Sequence, residues 1–291
     1  MSEQPLQGEV VIVTGAGSTI GLGRAMTLAL VKAGARVAMV DVDEGSLEQS
    51  AGDARAVGGR DCVMTILGDV TKPEDAERIV EKTIAGLGGL HVLMNNAGIN
   101  PRIAAVPPNP QFTAIPLDAW TQTIAVNVNG PFFMARAAVP HLIAQGWGRI
   151  MGVTTSLDMM IRGAPYGVSK AAHEAFIATM ASQLQGTGVT ANVLVPGRGV
   201  ATNMTGGART DGAPDNRLQP EVMQAPVVWL ASHASDGVNG QRIIAQFWDD
   251  ELPLEERLRK ASAPAGWPQL GKQSFWSRMA EPQPWLEAPE I

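Results

Sequence analysis

Short apolar runs alternate with helix-length segments from Val10 to about residue 245, and this alternation constrains the fold more than any other feature of the chain. "VVIVT" (Val10–Thr14) has the β-branched content of a buried strand, and Gly23–Lys32 reads as an amphipathic helix closed by "AGA". The pairing recurs. Strands are expected at Arg36–Asp41, Asp61–Leu67, "HVLMNNAG", "RIMGVTT", "VTANVLVP" and "RIIAQF". Helices are expected at Glu44–Val57, Pro73–Leu87, Leu117–Gln145, Tyr166–Leu184 and Val222–Ala231, with Gly130-Pro131 able to interrupt the long one. Strands joined through helices imply right-handed crossovers and a parallel sheet covered on both faces. The expectation is a single doubly wound α/β domain with about seven strands.

No internal repeat or linker divides this run, so the domain is placed at 1–248. Residues 249–291 form a Pro- and Trp-rich extension with Trp267, Trp276 and Trp285, and Trp248 stands at its border. Exposed indoles present large apolar surfaces, so the extension is expected to pack on its own or a neighbouring subunit. Asn100–Pro116 is a second departure, a proline-rich excursion. The balance of 22 basic against 28 acidic residues gives −6, which argues against a nucleic-acid or anionic-membrane surface as partner. With no long apolar run and no signal-peptide pattern, a cytoplasmic protein is expected. The lone Cys62 excludes an intrachain disulfide, and no His/Asp/Glu cluster has metal-ligand spacing, so no metal is expected. His91 and His141 read as packing or surface residues, and His173 as an interface residue.

Four glycines, Gly15, Gly17, Gly21 and Gly23, follow the first strand, where a turn into a helix N-terminus can cradle phosphate. Asp41 ends the second strand, the place from which a carboxylate accepts hydrogen bonds from ribose hydroxyls. No Arg or Lys follows in "DVDEG" to meet a 2′-phosphate, which favours NAD over NADP. The alternative role for Asp41 is a helix cap, which Asp43 could fill equally well. "GDVT" (Gly68–Thr71) and "NNAG" (Asn95–Gly98) stand at the carboxyl ends of strands, where the ligand crevice of a parallel sheet lies. In "YGVSK", Tyr166 and Lys170 share a helix face, so an ammonium is expected to draw the phenol towards ionisation near working pH.

The ordered set "TGAGSTIGLG", Asp41, "GDVT", "NNAG", "VNVNGPFF", "YGVSK" and "VPG" resembles the short-chain dehydrogenase/reductase family over residues 7–245, about four-fifths of the chain. The resemblance implies a Rossmann-type NAD-dependent oxidoreductase that interconverts a small secondary alcohol and its ketone and assembles as a dimer or tetramer. It implies Tyr166 as general acid/base, Lys170 as its pKa modifier and nicotinamide-ribose ligand, and Asn127 as support for a proton-relay water. Asp69 and Val70 would meet the adenine, and Asn96, Ala97 and Gly98 the adenosine-side ribose and neighbouring cofactor backbone. Pro196, Gly197 and Thr202 would border the nicotinamide. The family's serine position is ambiguous: register points to Thr155 and residue type to Ser156. In the glycine loop, the helix register selects Gly21-Leu22-Gly23 as the Gly-x-Gly, with Gly15 at the first turn. The loop is then two residues longer than usual, with Ser18 and Thr19 able to reach phosphate or ribose. Epimerisation through a transient ketone, or non-catalytic dinucleotide binding, are the alternatives. Arg198 or Arg209, in the Gly-rich segment after Pro196, could meet an anionic substrate.

Overall fold

The computed structural model describes residues 4–100, 111–207 and 215–267. Its first half contains β1 (Val10–Thr14), α1 (Leu22–Lys32), β2 (Arg36–Asp41), α2 (Glu44–Gly58), β3 (Val63–Leu67), α3 (Pro73–Leu87) and β4 (Val92–Asn95). There follow α4 (Leu117–Ile124), α5 (Gly130–Ala144), β5 (Gly148–Val153), α6 (Leu157–Arg162), α7 (Tyr166–Gln183) and β6 (Val189–Val195). The rest comprises α8 (Gln224–Ala231), β7 (Gln241–Ile244), α9 (Leu254–Ala261) and β8 (Ser262–Pro264). The strands form one sheet in the order β3-β2-β1-β4-β5-β6-β7-β8. Seven are parallel, and β8 closes the edge antiparallel to β7.

Alternation within the strands divides the core between the two faces. Val11 and Val13 of β1 join one apolar cluster with α1 and α8; Val10 and Ile12 join another with α3, α5 and α7. Chain order reverses between β1 and β4, which opens a crevice at the carboxyl ends of these strands.

Four elements differ from the sequence reading. The Leu117–Gln145 helix is interrupted by a π-helical turn at Ala125–Asn129, just before Pro131 enters the first turn of α5. Pro131 has no amide hydrogen to continue the preceding ladder. The short α6 was not foreseen, nor were α9 and β8, the last with three residues that carry no strand pattern. Beyond residue 248, Trp248 packs on Trp229 with ring centroids 4.9 Å apart, and the Arg257 guanidinium lies 5.1 Å from the Trp248 ring centroid. Trp267 is half-buried, whereas Trp276 and Trp285 lie outside the described residues. Among the described residues no helix is long and apolar enough to cross a membrane.

Candidate active site

The switch-point crevice is a cavity of about 810 Å³. One end is built by Gly15, Ser18, Gly21, Leu22 and Asp41, with Asp69 and Val70 beside them. Asn96, Ala97 and Gly98 form the middle, and Thr155, Ser156, Tyr166 and Lys170 the far end, faced by Pro196, Gly197 and Thr202. Thr19 and Asn127 do not line it.

The glycine loop is shaped by close approaches. Helix α1 begins at Leu22 with Gly21 as its N-cap. A Cβ on Gly23 would collide with the Gly15 carbonyl oxygen, so α1 rests directly on the chain leaving β1. Gly17, to which sequence reasoning gave no role, donates its amide to Asp41 Oδ2 at 2.8 Å, and a Cβ there would lie 2.9 Å from the same carboxylate. Asp41 Oδ1 accepts from Val42 N at 2.8 Å. Asp43, by contrast, caps α2 by accepting from Ser46 N at 2.7 Å, so Asp41 is not the helix cap.

Several polar residues are occupied by the fold itself. Asn96 Nδ2 donates to the carbonyls of Thr14 (2.8 Å) and Gly15 (3.0 Å), which ties β4 to the glycine loop. Asp69 accepts from the Thr71 amide and hydroxyl. Thr202 forms a capping box with Thr205. Asn127 lies in the π-helical turn, fully buried, with its amide clamped on Ile99 N and O and on Ser169 Oγ. Gly98 connects it to Lys170: a Cβ there would lie 3.1 Å from Lys170 Nζ and 3.3 Å from Asn127 Oδ1.

At the catalytic end the structure separates the two hydroxyls left open by the sequence. The Thr155 side chain stands beside the Tyr166 phenol on the cavity wall and acts to lower its pKa. Ser156 instead caps α6, accepting from Met159 N at 3.2 Å. Consecutive side chains at a strand end diverge, so only one can face the phenol. Lys170 Nζ donates to the Val153 carbonyl at 2.8 Å and lies 5.8 Å from the Tyr166 ring centroid.

The expected acidification of Tyr166 is not seen. Desolvation pushes the phenol up to about 12, opposed only by the neighbouring Thr155 side chain, and burial pushes Lys170 down to about 8. The cation that was to favour the phenolate is itself disfavoured by the same apolar surroundings. His173 is corrected too. It is 1% exposed and packs against Gly152 of its own sheet, where burial keeps it neutral. Residues that sequence reasoning missed, Ile99, Gln122, Val126, Met159 and Met204, also line the cavity. Arg198 also lines the cavity, whereas Arg209 lies outside the described residues.

A family model described as short chain dehydrogenase matches residues 9–213. The chain is 36% identical over 231 residues to 1-deoxy-11-beta-hydroxypentalenate dehydrogenase from Streptomyces exfoliatus, covering 78% of this chain and 80% of that protein. It superposes on a short-chain type dehydrogenase/reductase from Mycobacterium marinum with a TM-score of 0.68 and 28% identity, covering 81% of this chain and 93% of the other. It also superposes on 3-ketoacyl-(acyl-carrier-protein) reductase from Brucella melitensis complexed with NADH. There the TM-score is 0.68 at 25% identity, over 80% of this chain and 95% of that one.

Proposed function

The chain belongs to the short-chain dehydrogenase/reductase family and is an oxidoreductase, and from that premise we propose that it transfers a hydride between NAD(H) and a secondary alcohol or ketone. The observation that carries this reading is one cavity that holds Thr155, Tyr166 and Lys170 together with Asp41, with Lys170 fixed on the Val153 carbonyl.

The residues fit a nicotinamide dinucleotide. The chain turns into α1 beside the cavity through Gly15 and Gly21, and Asp41 offers acceptors with no neighbouring cation for a 2′-phosphate. The dinucleotide, when bound, supplies the hydride acceptor or donor. Tyr166 exchanges the proton of the substrate oxygen: the neutral phenol protonates a developing alkoxide in reduction, and the phenolate accepts the hydroxyl proton in oxidation. Thr155 orients the phenol and supports the charge on the substrate oxygen. Lys170, fixed by the Val153 carbonyl, passes protons towards the Gly98–Asn127 side. Half-exposed Phe132 and Val168, on α5 and α7, support assembly into a homo-oligomer through those helices.

The test is incubation with NAD or NADP and a panel of secondary alcohols at alkaline pH, following NADH absorbance and product identity. Net NADH formation is expected, with at least about tenfold preference over NADP from the charge of Asp41. Interconversion of epimers without net NADH would favour the epimerase reading. Binding without turnover across the panel would overturn the catalytic one.

A further inference from the structure

Tyr166, Lys170 and Glu174 are four residues apart on α7 and therefore share one helix face. That face grips three consecutive residues leaving β5. Lys170 Nζ donates to the Val153 carbonyl, the Thr154 hydroxyl donates to Glu174 Oε2 at 3.0 Å, and Thr155 meets Tyr166. Glu174 is also paired with Arg242 of β7. The other terminal nitrogen of the same guanidinium donates to the Thr155 carbonyl. Glu174 and Arg242 are both almost entirely buried, at 0% and 7% side-chain exposure. Neither lines the cavity, so a direct part in the reaction is closed to both. Arg242 of β7 is paired with Ala263 of β8, so the segment after residue 248 adjoins the cluster.

A buried ion pair is a poor source of net stability, because desolvating two charges offsets much of their attraction. Its forked geometry is instead suited to fixing direction. One planar guanidinium ties a helix carboxylate to a strand-end carbonyl, and that carbonyl belongs to the residue whose hydroxyl faces the phenol.

Resting on the reading of Tyr166 and Thr155 given above, we infer that the Glu174–Arg242 pair is a positioning device for this oxidoreductase: it locks the Thr155 backbone so that its hydroxyl meets the Tyr166 phenol. The pair spans α7, β5 and β7, and makes the alignment of the two reacting-end side chains depend on the far half of the sheet.

Tyr166 is the only tyrosine in the chain, which gives a direct readout without a substrate. Uniform incorporation of 3-fluorotyrosine yields a single fluorine resonance, and the fluorine makes the phenol acidic enough to titrate while the protein stays folded. Thr155→Val removes the hydroxyl beside the phenol and should raise the titration midpoint by about half to one pH unit, the net worth of one hydrogen bond. The double variant Glu174→Gln/Arg242→Met removes the pair without leaving a buried charge alone. It should raise the midpoint by a similar amount, and adding Thr155→Val to it should raise it little further, because coupled changes are not additive. Arg242→Lys, which keeps a cation for Glu174 but loses the fork, should shift it in the same direction and serves if the double variant does not fold. An unchanged midpoint in the folded pair variants, with Thr155→Val still shifted, overturns the inference while leaving the site reading intact. An unshifted Thr155→Val overturns the Thr155–Tyr166 contact itself, and the inference with it.

Discussion

At the residue scale, the decisive partition is between Thr155 and Ser156. Both carry hydroxyls at the same strand end, and the sequence placed them in competition; the cap of α6 resolves it by engaging Ser156. That helix was not legible, because six residues with no apolar period give no signal. Thr155→Val should lower kcat by about 10²-fold or more, in the range of a lost oxyanion donor, whereas Ser156→Ala should cost about 1 kcal/mol of stability and little turnover. Steady-state kinetics beside thermal melts separate the two. The direction of the Tyr166 and Lys170 shifts was equally hidden, since spacing reveals proximity and not desolvation. Lys170 titrates near 8 in the folded protein, below its ordinary value of 10.5. Between these values the unfolded chain holds a proton that the folded chain has lost, so stability rises with pH across that window. Lys170→Met should therefore melt higher than the parent near neutrality, by on the order of 3 kcal/mol before the lost Val153 bond is subtracted. The gap should close as pH approaches 10.5, the ordinary value. A variant that melts lower at every pH would show that the ammonium is stabilised by contacts other than the Val153 carbonyl.

At the element scale, the strand and helix pairs were legible because β-branched runs and the helical period write themselves into sequence. The π-helical turn at Ala125–Asn129 and the edge strand Ser262–Pro264 did not, since one depends on an extra residue inside a helix and the other on a neighbour to pair with. The four glycines were visible as a loop, but their partners were not. Gly17 lies against Asp41, two elements away, and this contact belongs to tertiary structure alone. Gly23→Ala drives a methyl group into the Gly15 carbonyl and should cost roughly 1–3 kcal/mol while weakening dinucleotide binding. Calorimetric melts with and without NADH read both effects; a neutral substitution would mean that α1 shifts freely against β1.

At the scale of the whole molecule, the site is assembled from both halves of the sheet, and its Glu174–Arg242 support adjoins β8, beyond residue 248. Cutting after Trp248 removes β8 and α9, and leaves the β7 edge unpaired. Such a chain should melt lower and aggregate, as size-exclusion chromatography and thermal scans would register. The parallel sheet was legible from the crossovers, and one end of the cavity from Asp41 and the glycine loop, whereas Gln122, Met159 and Met204 reach the cavity from segments that no local pattern distinguishes. The account turns on Tyr166 as the proton-exchanging group. The most direct measurement compares Tyr166→Phe with the parent by NADH fluorescence titration and by turnover of the best alcohol in the panel. It should show unchanged NADH affinity with kcat reduced by about 10²–10⁴-fold, the usual worth of a general acid/base. Undiminished turnover in a variant that binds NADH normally would contradict the account.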